Sequence, residues 1–161
     1  MATKVTPATL TVKVSEQITL NGVSYGGSNT FTKASCGQVD QRIMSVVHDA
    51  NTEIASFGAA DAKGAVVAAN LKYFRITNLD DTNFISVILY KSASEYNEAA
   101  IKVEPNSSFF FTTDDFFADT NTADGSSDSA ADFAGTLVSC DKIFLRANTA
   151  ACDVEYVIVT T

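Results

Sequence analysis

The sequence predicts an all-β fold, an antiparallel β-sandwich that is jelly-roll-like and built from about nine to eleven short strands. Three observations predict it. Apolar residues recur with a period of two along most of the chain, which is the spacing of a strand with one covered face. Turn-forming pairs and clusters of Asn, Asp, Gly and Ser separate these runs. The composition also leans toward strands, with 11 Phe and 5 Tyr against 2 Pro in 161 residues. No repeat of fixed period appears, which argues against a propeller or β-helix. The strand order stays open between a jelly roll and an immunoglobulin-like or other Greek-key sandwich.

The elements follow in order. Residues 9–20 place Leu10, Val12, Val14, Ile18 and Leu20 on one face, interrupted only by Glu16. Asn21-Gly22 then supplies the two positive φ angles of a type I′ turn, so Leu20 should face Val23 and Ile18 should face Tyr25. Residues 26–29 read as a loop. Strands are expected over 38–47 and 52–57, parted by Asp49-Ala50-Asn51, and 58–70 reads as a loop or short helical turn. Residues 71–77 and 84–90 are β-rich runs, and the second is apolar on both faces, as a central strand would be. Residues 99–103 and 108–112 flank Glu104-Pro105-Asn106-Ser107, a tight turn with Pro second and Asn third. The last strands are 136–147 and 153–160, expected to pair as a hairpin around Asn148-Thr149.

Residues 1–161 thus read as one domain, with a short N-terminal arm (1–8) and a long acidic surface loop (114–132). A chain of this length can bury roughly 70% of the surface its unfolded form exposes, enough for a core without staples. The net charge of -8, from 19 acidic and 11 basic residues, argues against direct nucleic-acid binding, which needs clustered cations. No two basic residues are adjacent. An anionic membrane surface is disfavoured on the same ground, and no apolar run reaches the ~20 residues of a membrane span. The opening residues lack the apolar core of a secretory signal, so folding in a cytoplasm is the expectation. Cys36, Cys140 and Cys152 fit a reducing compartment as buried thiols, with no bridge between the last two.

A search for chemistry assigns no catalytic, cofactor-binding or metal-binding residue. His48 is the single histidine, and its neighbour Asp49 points to the opposite face of an extended chain, so a surface histidine is the expected reading. Asp114, Asp115, Asp119, Asn121, Asp124 and Asp128 offer oxygen ligands, but their spacing departs from a calcium-binding loop because Gly125 falls one place late. One His and three scattered Cys give no zinc spacing. Tyr25, Tyr73, Tyr90, Tyr96 and Tyr156 could provide sugar-stacking platforms, although alternating Tyr in strands more often serves a core or interface. Asn106-Ser107-Ser108 matches a glycosylation pattern and reads as a turn.

Residues 71–78 (LKYFRITN), 84–90 and 101–109 (IKVEPNSSF), with ITLNGVSYG at 18–26 and VEYVIVTT at 154–161, resemble small jelly-roll virion proteins of tailed phages, marine ones included. The nearest types are capsid decoration or cement proteins and head or tail appendage subunits. The resemblance implies a non-enzymatic structural protein on the outer surface of a phage virion, made in the host cytoplasm. It implies as partners the major capsid protein or other virion proteins, and a homo-oligomer, with a trimer favoured. The acidity suits this exterior position, since jelly-roll proteins that package RNA carry a basic arm and residues 1–9 hold only Lys4. The alternatives are a calcium-assisted glycan-binding module, a tail or fibre subunit, or a sandwich hydrolase whose carboxylates converge only in three dimensions.

Overall fold

A computed structural model of the chain describes residues 5–57, 66, 70–90, 98–112, 117–119, 137–139 and 141–161. It is built of fourteen strands: β1 (Ala8–Ser15), β2 (Ile18–Leu20), β3 (Val23–Tyr25), β4 (Ser28–Cys36), β5 (Gln38–Val46), β6 (Thr52–Ser56), β7 (Leu71–Asn78), β8 (Ile85–Tyr90), β9 (Glu98–Val103), β10 (Ser108–Phe111), β11 (Phe117–Asp119), β12 (Leu137–Ser139), β13 (Lys142–Ala147) and β14 (Cys152–Thr160). Four of these, β2, β3, β11 and β12, have three residues each. The total exceeds the expected nine to eleven, because the run 9–20 divides into β1 and β2, the run 136–147 into β12 and β13, and β4 and β11 are additional. No helix of the described residues is long and apolar enough to cross a membrane.

Two four-stranded antiparallel sheets, ordered β10-β7-β14-β5 and β6-β13-β8-β9, face each other. Their pairing is nested: β5 pairs with β14, β6 with β13, β7 with β10, and β8 with β9. The chain therefore behaves as one long antiparallel ribbon folded over on itself, and its wrapping is completed where β7 meets β14 and β8 meets β13. This is the jelly-roll order. Within the two sheets, consecutive strands cross from one sheet to the other except at β8 and β9, which pair side by side at the end of the ribbon. The expected hairpin of the last two strands is corrected on this point: β13 and β14 lie in opposite sheets, and the link at 148–151 bridges them. Period-two patterning marks a strand's covered face but does not name its neighbour.

The inner faces of both sheets form one core, from Phe74, Ile76, Val154, Tyr156 and Ile158 on one side to Ile85, Val87, Ile143 and Leu145 on the other. Phe74 and Phe111 stack with centroids 4.6 Å apart. In β8, buried Ile85, Val87 and Leu89 alternate with half-buried partners, and the strand is an interior one as expected. The Pro105 turn closes with Ser107 N donating to Glu104 O at 3.2 Å and Asn106 at φ 54.

β4 was not expected, and it pairs with β1 to form a separate two-stranded ribbon. Its sequence, SNTFTKASC, holds too few apolar residues to show a pattern. A bulge at the ribbon's base, where Leu10 faces Lys33 but Ala8 faces Cys36, puts Ser35 at φ 60 and turns Cys36 inward. The ribbon lies on the outer face of the first sheet, where Leu10, Val12 and Cys36 pack with Tyr73, Val157 and Val159. Phe31 then stacks on Phe110 of the edge strand β10.

The crossing from β7 to β8 is held by Asn78, which is fully buried. Its Nδ2 donates to Asn83 O at 2.8 Å and, at longer range, to Val103 O and Glu104 O, while its Oδ1 accepts from Asp80 N at 3.1 Å. Replacing Asn78 with Ala strips these buried groups of their partner, and we expect a loss of about 3 kcal/mol. Urea unfolding measures it, and a loss below about 1 kcal/mol would show that the amide does not hold the crossing.

Asp80 continues the network by accepting from Asn83 N at 2.6 Å and Thr82 N at 2.8 Å. These two donors hold its carboxyl below the usual carboxylate range. A folded value below the unfolded one means that the stabilisation is complete above about pH 3.9, the unfolded value, and is lost as pH falls through the folded one. We therefore expect the urea midpoint of Asp80→Asn to decline less than that of the wild type between about pH 6 and about pH 2. Parallel declines would refute the assignment.

Candidate functional site

The open seam between edge strands β5 and β6 forms a groove of about 780 Å³, lined among others by Asp40, Arg42, Met44, Glu53 and Tyr156. Asp40 and Arg42 lie on the inward face of β5, where the register sets them opposite Ile158 and Tyr156 of β14. Arg42 Nε donates to Asp40 Oδ1 at 3.0 Å, and the Tyr156 hydroxyl donates to Asp40 Oδ2 at 3.2 Å. Burial, followed by the negative charge of Asp40, pushes the Tyr156 phenol above its ordinary range. Glu53, the other carboxylate in the groove, accepts from Lys142 Nζ at 2.8 Å. Both carboxylates are thus engaged within the fold. Removing the Tyr156 hydroxyl as Phe should cost about 1 kcal/mol of stability by urea unfolding; an unchanged midpoint would show that the hydroxyl's bond to Asp40 is not held in solution.

The residues singled out in the sequence do not converge. His48 is exposed in the bend between β5 and β6, and its carbonyl accepts from Arg146 Nε at 3.0 Å. Cys36 and Cys152 are buried free thiols, as expected, and burial raises the pKa of Cys152. Cys140, Tyr96 and residues 58–65 and 67–69 lie outside the described residues. So does most of the acidic loop, with Asp114, Asp115, Asn121, Asp124 and Asp128. Within that loop, Phe117–Asp119 forms β11, paired to β12. Among the described residues no cluster of three or more His, Cys, Asp or Glu side chains is placed to hold a metal ion.

Of the tyrosines, Tyr73 and Tyr156 are buried and Tyr90 is half-buried, with its ring set edge-on to Phe144. Only Tyr25 is largely exposed among those described, and it belongs to a second feature. Beyond Ser15 the ribbon continues into the β2–β3 hairpin, whose register is the expected one, Ile18 facing Tyr25 and Leu20 facing Val23. Asn21 at φ 52 and Gly22 at φ 78 make the turn. Glu16, the residue that breaks the apolar run, marks the joint, where its N–H donates to Gly27 O at 2.8 Å. Gly26 sits there at φ +129, and a Cβ in its place would collide with the Glu16 carbonyl.

The apolar face of this hairpin is uncovered. Ile18, Leu20, Val23 and Tyr25 are 59%, 58%, 52% and 54% exposed. On the opposite edge of the first sheet, the outer face of β5 shows Val39 and Ile43, 62% and 68% exposed. Two uncovered apolar surfaces of this kind mark an interaction site more readily than a catalytic one. The signal was available in the sequence: residues 17–32 contain no Asp, Glu, Lys or Arg in a chain that is 19% charged. Alternation alone had assigned Ile18 and Leu20 to the face that the rest of the strand covers.

Comparison with protein-family models, curated proteins and solved structures finds no match to this chain.

Proposed function

We propose that the chain is a non-enzymatic structural subunit of a tailed-phage virion, seated on the outer surface of the capsid as a decoration or cement protein. The observation that carries this reading is the charge-free apolar arm, which stands out from an acidic jelly roll with a packed interior. A protein whose work is to hold neighbours needs such a surface, while a catalyst needs unengaged polar groups in a concave site. Here the groove carboxylates are bound to Arg42, Tyr156 and Lys142. The net charge of -8 fits a position away from packaged nucleic acid. Its partners are then the major capsid protein or other virion proteins, together with copies of itself.

A glycan-binding role draws less support. Stacking against a sugar needs an exposed ring flanked by hydrogen-bonding groups, and Tyr25 stands instead among Ile18, Leu20 and Val23. Electron microscopy and protein counting on purified particles test the proposal: the chain should be present in a fixed ratio to the shell protein, as density on the capsid exterior. Absence from particles would refute it, and density confined to the tail would replace the decoration role with that of a tail or fibre subunit.

A further inference from the structure

We infer that the β2–β3 arm of one copy docks on the outer face of β5 in a second copy, over Val39, Gln41 and Ile43, so that the copies close into a symmetric oligomer. The inference deepens the structural-subunit reading and rests on it. Its first ground is position. The sheet order β10-β7-β14-β5 puts β5 at one edge. The ribbon leaves Cys36 beside Tyr73 and Val159, reaches β10 at the opposite edge through Phe31 and Phe110, and runs on to the arm. Donor and acceptor thus lie at opposite edges of the same sheet, where neither can satisfy the other within one chain. A heterologous contact between two different patches closes when the rotation relating the copies returns to its start.

The second ground is charge. Copies bearing -8 each repel one another unless the surfaces that meet are neutral. The arm has no charged residue from 17 to 27. On the acceptor, Val39, Gln41 and Ile43 alternate with Asp40 and Arg42, which face inward. The carboxylate directly opposite Ile43, Glu155, is neutralised by Arg75 and also accepts from Gln41 Nε2 at 2.7 Å, while Asp153 on the same face stands one pair further along, opposite Ser45. The strip therefore presents an apolar face whose Gln41 amide and facing carboxylate are already paired, and an acidic chain can approach it through the arm.

The third ground is fit and size. On one face of a strand, side chains two residues apart stand about 6.6 to 7 Å from each other. Val39 and Ile43 therefore frame a gap of about 13 Å over Gln41, and a Leu20–Val23 pair can enter it. The four arm side chains and the two strip side chains together offer on the order of 300 Å² of apolar surface over both sides of one contact, well below the ~1,600 Å² total of a standard interface. One contact alone is weak. In a closed oligomer every copy gives an arm and receives one, which doubles its share.

Light scattering on the purified full chain tests this with Leu20→Lys on the arm and Ile43→Lys on the strip, both at exposed positions. The wild type is expected at a multiple of 17.1 kDa and each variant at 17.1 kDa. An equimolar mixture of the two variants retains one intact arm and one intact strip, a single contact that cannot close a ring, so a one-to-one dimer that neither forms alone should appear only at concentrations well above those at which the wild type oligomerises. A wild-type circular dichroism spectrum and a cooperative thermal transition establish that the variants fold, and Leu20→Ser with Ile43→Ser replaces any that does not. A monomeric wild type, a variant that keeps the full oligomer, or a mixture that stays monomeric even at the highest soluble concentration overturns the inference. A wild type monomeric in solution but present on particles, and lost from them with Leu20→Lys, assigns the arm to the shell protein, which overturns self-docking and leaves the virion reading standing. A wild type that oligomerises through the arm but is absent from particles does the reverse.

Discussion

The second half of strand β14 is apolar on both faces, and the arrangement of the rest follows from the need to cover it. Val154, Tyr156 and Ile158 enter the sandwich core, while Val157 and Val159 point the other way, onto the outer face of their own sheet. A sheet apolar on both faces cannot leave one of them in water without losing the stabilisation its residues provide. The jelly roll supplies the second sheet for the inner face. The β1–β4 ribbon supplies Leu10, Val12 and Cys36 for the outer one. The ribbon is therefore a third layer laid on a two-layer sandwich, and the arm is its continuation past the edge of the sheet it covers.

Polar groups fix where the chain crosses between the layers. Each crossing exposes backbone groups that a sheet would pair, and a buried unpaired group is costly. At the β7–β8 crossing Asn78 and Asp80 take the place of a ladder, since together they bind carbonyls of Asn83, Val103 and Glu104 and the N–H groups of Thr82 and Asn83. Next to them Asn106 N donates to Asp80 O at 3.1 Å, so the Pro105 turn is tied to the same network. In the sequence these residues read only as turn formers. Their shared role depends on β9 returning beside β8, a contact between residues far apart along the chain.

What the sequence showed clearly was local. Asn21-Gly22 fixed the register of the β2–β3 hairpin to the residue, because a two-residue turn with two positive φ angles allows only one pairing. Alternation likewise identified β8 and β14. The same alternation failed for β4, whose exposed face and sparse apolar content left no period to detect. It also failed for the partnership of β13 and β14, since nested pairing is a property of the whole wrapped ribbon. For the candidate site, the apolar face of 18–25 was visible but its exposure was not. Periodicity identifies a face that will be covered and says nothing about which molecule covers it. The absence of charge from 17 to 32 was the better guide, because a solvated hairpin of an acidic protein gains solubility from charge and this one has none.

Edge strand β5 joins these themes. A nine-residue edge without proline invites a foreign strand to extend the sheet, and natural proteins counter this with charges turned inward. Asp40 and Arg42 occupy that inward face, bonded to one another and, through Asp40, to Tyr156. A strand added alongside β5 would extend the sheet past these groups, and its own inward side chains would have to pack beside an ion pair that stands at the mouth of the groove. The outer face is treated differently. Val39 and Ile43 remain exposed there, with Gln41 bonded back to Glu155. The strand thus opposes growth along its edge while keeping a face open to docking, which separates ordered association from aggregation by using the two sides of one pleated strand.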